Sequence, residues 1–206
     1  MLTPDLLKSV MPRCPSDKLE QYAQLLSSLM DRYAFNTLYR RAYFLGQIAW
    51  ESGDLRYMRE VWDPVKVPQQ LKYERNFDHP WPHTPADKTN RLAYRLGNFN
   101  AGDGYRFRGF GPLQVTGRNN ALAVSQYLYG NDSLVAAHSG FDPLDTYEVG
   151  FGAAFWYWND RRLNEKADMK DYKGTTLLIN GACTDGPPSH HLNRVKCLER
   201  ALAALS

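Results

Sequence analysis

Apolar positions recur at helical spacing along much of the chain. Between Asp17 and Tyr33 they fall at Leu19, Tyr22, Ala23, Leu25, Leu26, Leu29 and Met30, and Pro15-Ser16-Asp17 supplies a helix start. Asn36-Thr37 reads as the cap of a second helix, whose face is Leu38, Ala42, Leu45 and Ala49 with Phe44 and Ile48 alongside. Gly53 is a natural stop for it. The pattern then breaks. Pro64, Pro68, Pro80, Pro82 and Pro85 interrupt regular structure from Trp62 to Asn90, which marks an irregular surface segment. Thr89 to Gly97 predicts a short helix, and the glycine-rich stretch Asn98 to Gly111 predicts a loop or short hairpin. Helical patterns return at Leu113 to Tyr129 and at Asp145 to Arg162, the latter apolar enough to be central. Thr175 to Ile179 reads as a short helix or strand, Gly181 to Pro188 as a loop, and His191 to Ala204 as a closing helix. The expected class is mainly α.

Composition narrows this little. With 206 residues, the expectation is one domain, 1–206, with a possible small lobe or lid at about 62–110. A hydrophobic fraction of 43% with 23% charged residues excludes a disordered or collagen-like chain. The longest nearly uncharged apolar stretch, Val149 to Trp158, is too short to span a bilayer, which takes about 20 residues. MLTPDLLKSV shows no basic patch followed by an apolar run, so synthesis in the cytoplasm without a signal peptide is expected. The net charge of +3, well mixed along the chain, argues against a nucleic-acid partner and mildly favours anionic ones such as a cell wall. Cys14, Cys183 and Cys197 make no disulfide framework. A Cys183–Cys197 pair is conceivable, and reduced, packed thiols are expected. Cys183, His190, His191 and Cys197 fit no common zinc spacing, so no metal is expected.

Two carboxylates stand out. Glu51 ends the second helix in FLGQIAWESGDL. Apolar neighbours (Trp50, Ile48, Leu55) and the negative end of the helix both disfavour an ionised carboxyl there, which suits a general acid. An exposed glutamate near a helix end is the plain alternative. Glu60, in RYMREVWDP, has Arg56 and Arg59 nearby to keep it ionised, as a general base needs, or it is a surface residue paired with Arg56. A third feature is YRFRGFGPLQVTGRNN, Tyr105 to Asn120. Gly109 and Gly111 permit close backbone approach, and in an extended segment Gln114 and Thr116 point to one side. The aromatics Trp62, Trp81, Tyr94, Phe99 and Tyr105 are either sugar-stacking or core.

Together these blocks resemble glycoside hydrolase family 19, closer to its phage endolysin and lysozyme-like branch than to the plant chitinases. The resemblance is carried by NTLYRRAYFLGQIAWESGDLRYMREVW, by GDGYRFRGFGPLQVTGRNN, and by LLINGACTDG with a downstream NR, over about Asn36 to Arg194. It implies a lysozyme-like helical domain with a catalytic groove and a small irregular lobe. It implies Glu51 as general acid and Glu60 as general base, with Thr116 positioning the attacking water. Gln114, Tyr105, Asn180 and Arg194 would line the groove and contact substrate. Three positions depart from the family's pattern: Trp50 stands where it commonly has His, Phe110 replaces Arg in GRG, and Ala121 replaces an aromatic.

The reaction so implied is inverting hydrolysis of a β-1,4 bond between amino sugars, with the carboxyls about 6.5–9.5 Å apart and no cofactor. The endolysin-like branch points to peptidoglycan glycan strands, with chitin as the alternative. It also points to a lysin held in the cytoplasm until a holin releases it to the wall in the periplasm. An exported antibacterial effector, with an immunity protein as partner, is a second role. A lytic transglycosylase is a rival class, because Glu51-Ser52 and Gly111-Pro112-Leu113-Gln114 match its pattern too. A non-catalytic glycan-binding module is another.

Overall fold

A computed structural model describes residues 1–136, 141–187 and 190–206, so Pro188 of the expected loop lies outside the described residues. The described residues are mainly α. In chain order the helices are α1 (Pro4–Val10), α2 (Leu19–Arg32), α3 (Leu38–Glu51), α4 (Arg91–Leu96) and α5 (Asp103–Arg106). They continue with α6 (Arg118–Tyr129), α7 (Tyr147–Asp160), α8 (Leu163–Asp168), α9 (Tyr172–Asn180) and α10 (His191–Leu205). Short 3₁₀ turns cover Ser16–Lys18, Pro68–Tyr73 and Pro143–Asp145. Among the described residues extended pairing is limited to two isolated antiparallel bridges, Arg59 with Phe110 and Phe110 with Val115. No described helix is long and apolar enough to cross a membrane.

The chain forms two compact units, 1–58 with 154–206, and 59–153. The segment expected as a lobe, 62–110, falls within the second.

In the first unit α3 is the central element. Thr37 caps it by accepting the Arg40 N–H at 3.2 Å. Every residue from Ala42 to Ala49 is buried, so the helix is enclosed on all sides rather than along one stripe. Phe44 packs on Phe155 and Trp158, with ring centroids 4.5 and 5.2 Å apart, and Phe35 joins the cluster at 5.1 Å from Phe44. Each such ring is worth about 1.5–3 kcal/mol when buried. The Trp158 indole, fully buried, donates to Asn164 Oδ1 at 3.0 Å. α10 lies against α3 so closely that a Cβ on Gly46 would stand 3.0 Å from Leu198 Cα. The three cysteines are free thiols, and burial pushes Cys14 up to about 11.

In the second unit α4 and α5 pack on the 3₁₀ turn Pro68–Tyr73, and α4 also packs on α6. The helix expected from Leu113 begins instead at Arg118. Residues 111–114 form a turn closed by the Phe110–Val115 pair, whose N–H groups donate to each other's carbonyls at 3.0 Å. Gly111 (φ +71°) and Gln114 (φ +51°) both adopt the left-handed conformation, which no helix accommodates. Gly111 is needed for packing as well, because a Cβ there would lie 2.1 Å from the Gly150 carbonyl oxygen of α7. The close approach expected of this glycine is made to the protein's own helix. Phe110 and Ala121, two of the departures from the family pattern, are fully buried.

Candidate active site

Glu51 is the last residue of α3, with 26% of its side chain exposed. Its surround is not the purely apolar one expected. Arg194, in the first turn of α10 and only 1% exposed, places Nη1 2.7 Å from Glu51 Oε1. The same Nη1 donates to Gln47 Oε1 at 2.7 Å. Gln47 and Glu51 are four residues apart on one helix, so both face the guanidinium. The network continues inward. Gln47 Nε2 donates to Thr176 Oγ1 at 3.0 Å, and Thr176 donates to the Tyr172 carbonyl at 3.1 Å. His191 Nδ1 lies 3.2 Å from the same Thr176 oxygen. The Tyr172 hydroxyl donates to the Arg194 carbonyl at 3.1 Å, and burial raises its phenol well above the usual value. Arg194 was expected to line a cleft and touch substrate. Its burial corrects that: it holds Glu51. Trp50 meets His190 at a tilt of 51°, with centroids 5.6 Å apart. Asn180 is the last residue of α9, half-buried, followed by the left-handed Gly181.

The chain leaves Glu51 through an unusual turn. Gly53, Asp54 and Leu55 are all left-handed, with φ of 59°, 64° and 62°. For the last two this conformation is costly and persists only where the surroundings enforce it. Ser52 Oγ accepts the Leu55 N–H at 2.7 Å and donates to the Ile48 carbonyl at 2.6 Å. The Asp54 carboxylate, 2% exposed, binds Arg13 Nε at 2.9 Å and Arg200 Nη2 at 3.4 Å.

Glu60, in the second unit, is held differently. Its Oε2 accepts the Gly109 N–H at 2.9 Å, and its own N–H donates to the Gly109 carbonyl at 2.8 Å. Its Oε1 accepts from Gln70 Nε2 at 2.9 Å. Gln70, 3% exposed, also donates to the Val61 carbonyl at 2.7 Å and accepts the Asp63 N–H at 2.8 Å. Arginines do not hold this carboxylate, contrary to expectation. Arg59 lies 2.8 Å from Asp145 Oδ1 and donates to the carbonyls of Arg106 and Arg108. Arg56 donates to the Gly53 carbonyl and sits over the Tyr57 ring. The Tyr73 phenol is raised by burial first and by the Glu60 charge second.

Gln114 and Thr116 do not project from an extended strand, because Gln114 is left-handed. The Gln114 amide folds back to donate to the Gly111 carbonyl at 3.0 Å, and Thr116 donates to the Gln114 carbonyl at 2.9 Å. Tyr105 is 51% exposed, with Trp62 at its edge (centroids 5.8 Å apart) and the Arg108 guanidinium 4.3 Å over one face. Sequence reasoning missed Gln47 and Gln70. Gln47 carries a signal, since an amide inside the apolar run Ala42–Ala49 needs a buried partner. Gln70, in a proline-interrupted segment, carries none.

No family model matches the chain. A curated relative, a glycosyl hydrolase family 19 domain-containing protein of Haemophilus influenzae (strain ATCC 51907 / DSM 11121 / KW20 / Rd), is 27% identical over 169 residues, covering 77% of this chain and 78% of the relative. Among solved structures, chitinase C from Streptomyces griseus HUT6037 superposes with a TM-score of 0.66 at 18% identity, covering 99% of this chain and 92% of that one. A mutant of chitinase C gives 0.65 at 18% identity, covering 99% and 76%. The motifs, the relative and the shared fold agree in making this chain similar to glycoside hydrolase family 19.

Proposed function

We propose that this glycoside hydrolase cleaves β-1,4 bonds between amino sugars in the glycan strands of peptidoglycan, by inversion. Glu51 gives its proton to the departing glycosidic oxygen as the C1–O bond breaks toward an oxocarbenium-like state. Glu60 takes a proton from the water that attacks C1 from the opposite face, with the Thr116 hydroxyl helping to orient that water. Tyr105, Gln114 and Asn180 would contact the sugars. The observation that carries the reading is that Glu51, partly exposed at the end of α3, is held in place through Oε1 by the buried Arg194.

The test is product analysis on purified sacculi and on chitin oligomers side by side. Peptidoglycan fragments with hydrated reducing ends, inverted on release, support the reading. Glu51→Gln and Glu60→Gln should each lower turnover by about 10²–10⁴-fold. Anhydro-sugar products would replace it with a transglycosylase. Preference for chitin oligomers would replace the substrate, and this second reading is favoured by the fold shared with chitinase C.

The proposed delivery is that of a lysin waiting in the cytoplasm for a holin. Co-purification of a tightly bound inhibitory protein from the producing cell would instead indicate an exported effector and its immunity partner.

A further inference from the structure

In the second unit a cavity of about 670 Å³ is lined by Lys72, Lys88, Arg91 and Arg95 together with Thr89 and Leu92. The four cations are exposed. Among the described residues no carboxylate lies within ion-pair distance of any of them. Three acids of the same stretch are engaged elsewhere. Asp87 Oδ2 is 2.7 Å from His79 Nδ1 and its Oδ1 accepts the Thr89 N–H at 2.9 Å. Glu74 accepts the N–H groups of Gly102 and Tyr105 at 3.1 and 2.9 Å. Glu60 is held by Gly109 and Gln70. Four like charges on one concave wall, with no carboxylate of the described residues within ion-pair distance, focus a positive potential into the cavity.

The position of the cavity suggests what enters it. Lys72 lies two residues from Gln70 on the turn Pro68–Tyr73, about 4 Å along its axis. Gln70 points inward to hold the Glu60 carboxylate, while Lys72 is exposed at the cavity. The cationic wall therefore begins next to the side chain that anchors the proposed base.

We propose that this cavity binds carboxylates of the stem peptide carried by the glycan strand, and that it is what separates peptidoglycan from neutral chitin as a substrate. The inference rests on the glycan-hydrolase reading above and names its specificity determinant. Lys72, Arg91 and Arg95 make exposed, salt-sensitive ion pairs with the peptide's carboxylates, and chitin offers them none.

The experiment measures sedimentation of the full chain with three insoluble ligands: native sacculi, sacculi stripped of stem peptides by an amidase, and chitin. The expected result is tighter binding to native sacculi than to the other two. The triple variant Lys72→Gln/Arg91→Gln/Arg95→Gln should shrink that advantage by about tenfold, and Arg91→Lys/Arg95→Lys should keep most of it. Raising salt to 0.5 M should mimic the triple variant on the wild type. An unchanged advantage in the triple variant overturns the inference. So does an equal loss on stripped sacculi, which would place the anion elsewhere on the wall. Binding needs no turnover, so the two readings fail separately. If sacculi yield no cleaved sugars the hydrolase reading falls, whatever the binding ratio shows.

Discussion

The two units hold their carboxylates by opposite means. In the first, Glu51 ends a long helix buried from Ala42 to Ala49 and is gripped by a buried guanidinium that a second helix delivers. In the second, Glu60 sits on irregular chain and is fixed by one backbone N–H and one amide side chain. Of this pair only Arg194 is buried, so removing Glu51 leaves an unbalanced charge inside the protein, while removing Arg194 frees a carboxyl that is partly exposed. A backbone anchor is removed only by proline, which lacks the N–H. Other substitutions can only move it, by disturbing the turn that presents it. The first arrangement should therefore break at side chains and the second at glycines.

The largest effect should come from the turn. Gly111→Ala meets both a left-handed backbone and the Gly150 carbonyl of α7, so a loss of about 3–4 kcal/mol is expected in denaturant unfolding. A cost below about 1 kcal/mol would show that the turn adapts. Next, Arg194→Met should cost about 2–4 kcal/mol and lower turnover at least about tenfold, since it strands Gln47 Oε1 as well as Glu51. Equal activity in this variant would reduce the guanidinium to a packing role. Gln70→Leu should cost about 1–2 kcal/mol and lower turnover more than it raises KM, because the Asp63 N–H and Val61 carbonyl also lose a partner. A double-mutant cycle with Glu60→Gln separates the part that passes through Glu60.

The smallest effect is local and acid-dependent. Hydrogen bonds from His79 first, and then from Thr89, lower the Asp87 carboxyl to about 2. A carboxyl whose folded value is depressed stabilises the fold above its ordinary range of about 4 and loses that contribution as pH falls toward 2. Amide protection in the 76–90 turn, corrected for the intrinsic pH dependence of exchange, should fall over that window. Asp87→Asn should abolish the step.

What the sequence revealed follows the same division. α2, α3, α7 and α10 are long enough for a 3.6-residue period to repeat, and each is found within a few residues of its expected bounds. α1 carries its start signal in Thr3-Pro4-Asp5, with Thr3 accepting the Leu6 N–H, but seven residues are too few to show a period. α5 is a single turn inside a glycine-rich stretch and leaves no pattern at all. Glu51 and Glu60 stand out in the sequence through their neighbours and the family resemblance, yet their partners do not. Arg194 lies 143 positions beyond Glu51 in numbering, and Gln70 approaches Glu60 from an irregular turn. Such partners are set by tertiary folding, which spacing does not encode. The expected Gln114–Thr116 alignment failed on one backbone angle, at a residue whose neighbour in sequence gave no warning of it.

The clasp around Asp54 ties distant parts of the first unit together. Arg13 reaches it from just after α1 and Arg200 from α10, the helix that also carries the guanidinium paired with Glu51. Loosening α10 would therefore release two carboxylates at once, those of Asp54 and Glu51.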